Sequence, residues 1–242
     1  FFFIQGLTFA SWASRIPDIK NALGLSDAAW GGILLCLPIG QFFALVLSGF
    51  LVTRYGSRIV LITTSLLYPA TLLLIGLASS PAWLIVALLL TGFFGNIYNI
   101  AVNTQAVGIE ALYGRSIMAS FHGLWSLAGF AGGLIGTFMI AKNLSPFQHY
   151  WIINGLTLLL TLLFVRSTLP RDTRTSDAKP KLFVKPDNAI LILGILAFSC
   201  MICVNGSPIK LPSRLSFTSR LALQSDESLI SRRALVCQIP AW

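Results

Sequence analysis

Three asparagines, Asn96, Asn99 and Asn103, recur at i, i+3 and i+7 in a stretch without charge from 59 to 109. At about 100° per residue they share one helix face, with Gly92 on the same side. A carboxamide both donates and accepts hydrogen bonds, so such a stripe suits a polar solute held in apolar surroundings. The same stripe also suits bonding to a neighbouring helix, a common use of Asn between membrane helices. Gln5, Thr8, Trp12 and Arg15 repeat the pattern at i, i+3, i+7 and i+10. Trp12 offers a face for a sugar-like ring, or equally a member of an interfacial aromatic belt. Arg15, at the end of its segment, reads as orienting a loop. Gln41 follows Pro38 and Gly40 and is a candidate for lining the cavity where the helix kinks. His122, with Trp125 and Ser126 within about one turn, is the candidate for proton exchange, because an imidazole titrates near neutral pH. A neutral His bonded to a neighbouring helix is the alternative.

These residues need elements that hold polar groups in a nonpolar medium. The chain is 55% hydrophobic and 10% charged, with a mean hydropathy of +0.80, whereas soluble domains carry about 25% charged residues. Charge-free runs cover 28–53, 59–109, 116–141, 143–165 and 188–209. A spanning helix needs roughly 20 apolar residues, so the longest run holds two spans. Ala78-Ser79-Ser80-Pro81 is the turn between them. The pattern predicts an all-α polytopic membrane protein with spans near 1–14, 29–52, 59–78, 82–107, 117–141, 149–165 and 189–203. The first opens without an initiating Met and reads as truncated; a signal peptide there would need a basic leading region that Phe1–Ala10 lacks. The pairs Gly129/Gly133 and Gly132/Gly136 are expected to admit close helix contact. Asn154, Thr157 and Thr161 read as packing bonds.

Loop charge predicts orientation. Loops after spans 2, 4 and 6 hold nine Lys or Arg, from Arg54 and Arg58 through Arg115 to Lys185, while the opposite loops hold Arg15, Lys20 and Lys142. Positive residues stay on the cytoplasmic side, which places the N-terminus and the 166–188 loop there. The net charge of +9 thus tracks topology, and nucleic acid is not expected as a partner. Cys36, Cys200, Cys203 and Cys237 lack further ligands and read as apolar filler. No nucleotide loop, metal cluster or nucleophile–base series is present in the sequence, so neither a cofactor nor an enzymatic activity is expected. No Asp or Glu falls within a span.

The segment Gly49–Arg58, GFLVTRYGSR, joins spans 2 and 3. It resembles the G-x-x-x-D-R-x-G-x-R signature of the major facilitator superfamily, with Gly49, Arg54, Gly56 and Arg58 in place and Thr53 where that family usually has Asp. Gly49 is expected to permit close helix approach, and Gly56 to take the positive φ of a tight turn. Ala10-Ser11-Trp12-Ala13-Ser14-Arg15-Ile16-Pro17, Ala101-Val102-Asn103 before Glu110, and Phe121-His122-Gly123-Leu124-Trp125-Ser126-Leu127 are similar to the YbjJ-like bacterial inner-membrane branch, distantly related to fucose permease. The resemblance covers about 1–203 and implies an N-terminal six-helix bundle (1–165), a cytoplasmic linker (166–188) and part of a seventh helix (189–203). It implies secondary transport of a small polar solute by alternating access, with proton coupling as an option, in the bacterial inner membrane. Residues 204–242, with seven Ser and five Lys or Arg, depart from the pattern and read as a frameshifted, truncated or disordered tail. The alternatives are an integral-membrane enzyme, an accessory membrane protein, or a non-functional gene remnant.

Overall fold

The computed structural model describes residues 1–170 and Ile195. The chain divides into two compact units, Phe1–Val184 and Lys185–Trp242. Apart from Ile195, the expected seventh span falls outside the described residues, as do the tail and most of the expected linker. Within the first unit all regular structure among the described residues is helical: α1 Phe2–Ser14, α2 Ile16–Ala22, α3 Asp27–Leu34, α4 Cys36–Tyr55, α5 Ser57–Gly76, α6 Pro81–Tyr113, α7 Met118–Ala141 and α8 Pro146–Phe164, closed by a 3-10 turn Val165–Ser167. Five of the helical stretches are long and apolar enough to cross a membrane.

Local chemistry explains the boundaries. Ser26, Ser80 and Ser145 cap α3, α6 and α8 by accepting backbone N–H bonds, and at Ser145 the side chain of Gln148 completes a capping box. The expected second span is broken at Leu35 into α3 and α4. Pro38 has no N–H for the Leu34 carbonyl and its ring crowds that turn; the Leu35 N–H bonds Gly32 instead, at 3.3 Å. The expected fourth span continues six residues past 107 because Glu110 does not end it. The Glu110 carboxylate accepts the N–H groups of Ile117 and Met118, each at 2.8 Å. A charged residue on α6 therefore caps α7, whose own N-cap, Ile117, has no capping side chain. Gly114, at φ 71°, supplies the left-handed residue that ends α6.

Helices meet where side chains vanish. α4 and α6 are reciprocal: a Cβ on Gly40 would strike the Leu89 carbonyl, and one on Gly92 would strike the Leu37 carbonyl. α1 lies along α7, with Gly132 set against Ala10 and Gly136 against Ser14. Gly129 and Gly133, the other expected pair, meet nothing within 4 Å among the described residues. Their side of α7 does not face α1. Asn154 donates to the Pro69 carbonyl at 3.0 Å and ties α8 to α5, whereas Thr157 and Thr161 bond back along their own helix. Thr71 and Thr91 join α5 to α6 at 2.9 Å. Outward faces remain apolar: Phe42, Phe130 and Leu162 are each more than 60% exposed. Exposed apolar surface on this scale marks contact with lipid or protein rather than water.

Candidate functional site

The asparagine stripe divides. Asn96 turns toward α4 and donates to the Ser48 hydroxyl at 3.3 Å. Asn99, which is exposed, meets α1, and Asn103 bonds back to Asn99 along α6. The Asn99 Oδ1 accepts from Gln5 Nε2 at 3.2 Å and from Asn103 Nδ2 at 3.1 Å; Asn103 also donates to the Asn99 carbonyl at 2.8 Å. Three carboxamides from two helices thus meet on one oxygen. The Asn99 amide N–H groups, Gln5 Oε1 and Asn103 Oδ1 make no hydrogen bond within the described chain. The cluster therefore presents both donors and acceptors, and it carries no formal charge.

An aromatic wall adjoins it. Phe9, one turn beyond Gln5 on α1, is 42% exposed, and its ring lies 6.1 Å from that of half-buried Trp125. Gly6 lets α1 approach the Trp125 backbone closely. Phe9 carried no signal in the sequence that separated it from other Phe residues of the spans. Trp12 is only 7% exposed and packs against Phe9 at 5.7 Å, within the apolar core. Both roles expected for Trp12 need an open ring, and here the ring is enclosed. His122 is exposed on α7 and its ring meets Phe2 edge-on at 5.3 Å; Ser126 is exposed one turn on. Neither is bonded to the amide cluster. Gln41 is exposed on α4 and also makes no bond to it.

The rest of the expected α1 stripe is turned inward. Thr8 is fully buried and bonds the Ile4 carbonyl. Arg15 is 2% exposed. Its Nη1 pairs with Asp18 at 2.7 Å and its Nε donates to His149 Nδ1 at 3.1 Å. Accepting that bond requires a neutral imidazole with its proton on Nε2. Arg15 thus ties the end of α1 to α2 and to α8, a heavier task than loop orientation. His149 went unread because its partner is 134 residues away.

In the hairpin, Gly56 has φ 85° and ψ 148°, a region open essentially only to glycine. Thr53, in the place of the usual Asp, donates to the Gly49 carbonyl at 2.7 Å. The Arg54 guanidinium lies over the rings of Phe50 and Tyr55 at 5.7 and 5.6 Å. Gly49 does not fulfil the expected close approach among the described residues: a Cβ there meets nothing within 4 Å.

A bundle of apolar helices, five of its helical stretches long enough to span, with a group of uncharged amides centred on the exposed Asn99 and with this hairpin, defines a polytopic membrane protein. The family model of the Major Facilitator Superfamily matches residues 1–225, past the Cys203 at which the motif resemblance stops, and the chain belongs to that family. It is 34% identical over 197 residues to an uncharacterized MFS-type transporter of Yersinia pestis, covering 81% of this chain and 51% of that protein. It is 32% identical over 205 residues to the membrane protein MosC of Rhizobium meliloti, covering 83% of this chain and 49% of that one. The chain spans about half the length of these curated relatives. The crystal structure of the nucleoside transporter NupG shares the fold, with a TM-score of 0.60 at 17% identity, over 84% of this chain and 51% of that one.

Proposed function

We propose that this chain is one half of a secondary transporter that carries a small polar solute across the bacterial inner membrane by alternating access. Gln5, Asn99 and Asn103 form one wall of its solute site. The observation that carries the reading is the shared Asn99 Oδ1, which gathers three amides and leaves donors and acceptors on each side of it. Phe9 and Trp125 supply an apolar face beside them. His122 is the group assigned to proton exchange, being exposed and without a polar partner among the described residues. Alternating access uses two bundles rocking about a midplane site, and relatives of which the matched segment covers only about half have room for the second. The nine-to-three loop asymmetry supports a cytoplasmic N-terminus and a cytoplasmic 166–188 loop. No residue is assigned a catalytic role.

The test uses a full-length relative that carries the three amides. Asn99→Ala and Asn103→Ala should each lower uptake at subsaturating solute by up to roughly tenfold, the worth of one net hydrogen bond of about 0.5–1.5 kcal/mol. Membrane levels should hold. Uptake kinetics unchanged in both variants, with the transported solute in hand, would leave these amides a packing role only.

A further inference from the structure

Gln105 is 4% exposed on α6, and all of its carboxamide's heavy polar atoms are bonded. Its Nε2 donates to the Ser57 hydroxyl at 2.7 Å and to the Leu169 carbonyl at 3.2 Å; its Oε1 accepts the Leu169 N–H at 2.7 Å. One side chain therefore holds both backbone polar groups of Leu169, 64 residues away, as an adjacent strand would. Leu169 follows the 3-10 turn Val165–Ser167, and Thr168, 6% exposed, donates to the Val165 carbonyl at 2.8 Å. The first residues of the expected linker are thus docked on the bundle. Ser57 follows Gly56, the left-handed corner of the hairpin. Hairpin, α6 and the chain leaving α8 converge on this one amide.

We propose that Gln105 is a positioning residue that couples the hairpin 49–58 to the root of the segment that leaves the bundle after α8. The hairpin cannot shift relative to α6 without loading the Ser57 bond, and that bond shares Nε2 with Leu169. Coupling of this kind is reciprocal: loosening the root must loosen the hairpin, and loosening the hairpin must loosen the root. The inference concerns the conformational hairpin and stands apart from the identity of any solute.

Amide hydrogen exchange on the full chain in lipid nanodiscs tests it. Leu169→Pro removes the root N–H without disturbing φ and ψ at Thr168, which is already extended as a residue before proline requires. It should speed exchange of the Gly56 and Val60 amides by roughly five- to thirtyfold. Ser57→Ala should in turn speed exchange at Leu169 by a similar factor, and Gln105→Leu should do both. Phe121 and Leu124 of α7 share a cavity lining with Gln105 and Thr168, so the control is the far end of α7, where the amides of Thr137–Ala141 should not change. Hairpin exchange unaltered by Leu169→Pro overturns the proposal. Uniform acceleration through α7 and α8 in all the variants overturns it too, because Gln105 is then only a general stabiliser. If Gln105→Leu fails to fold, the two flanking variants decide the matter.

Discussion

Asn99 and Asn96 lie three residues apart on one helix, yet one joins α1 and the other joins α4. Helical periodicity placed both on a common stripe; it could not tell which neighbour each would meet, because residues three apart still point about 60° away from each other. Phe9 and Gln105 were illegible for a related reason. A Phe in a membrane span resembles every other Phe, and a Gln near a helix end gives no hint of a backbone partner 64 residues on. Gly56 was legible, since a turn between two apolar spans needs a residue that can take positive φ. A valine there is held in a conformation that β-branched residues avoid, at a cost of about 1–3 kcal/mol. Gly56→Val should therefore lower the yield of folded protein in the membrane and its protease resistance. Parental levels of both would show that the turn adapts without glycine.

Helix positions followed from charge-free runs to within a few residues, except where a proline or a charge was reused. Pro38 divides one span at Leu35, and Glu110, which ended a run in the sequence, caps the next helix instead of breaking its own. Helix contacts were half legible. The glycine pairs on α7 look alike in sequence, but only Gly132 and Gly136 face α1. Replacing them should separate the two roles. Gly132→Val forces α1 away from α7, since it would meet the Ala10 Cβ at 2.7 Å, and overpacking of this kind costs about 1–3 kcal/mol. Gly129→Val meets no described atom within 4 Å and should leave the thermal midpoint of the purified chain in place. Equal losses in both variants would mean that α7 sits differently against α1.

Orientation is a property of the whole chain, set by loop charge rather than by any contact. Cysteines at two exposed loop positions, Ser79 and Arg115, report it in a background freed of native cysteine. Impermeant thiol reagents should label Ser79→Cys in intact cells and spare Arg115→Cys; the reverse pattern inverts the topology. The seam between α1 and α7 has a consequence in the order of synthesis. α1 is made well before its most extensive partner, which begins only at Met118, after every helix from α2 to α6. Until then the face of α1 that carries Gly6 and Ala10 lacks the helix it packs against. Contacts so far apart along the chain form late, and the waiting species is open to misassembly and quality control. Chains ending at Gly114 should be cleared from the membrane several-fold faster in a pulse-chase than chains ending at Asn143. The completion of α7, rather than the sheer number of helices inserted, is then the moment at which the nascent protein escapes degradation.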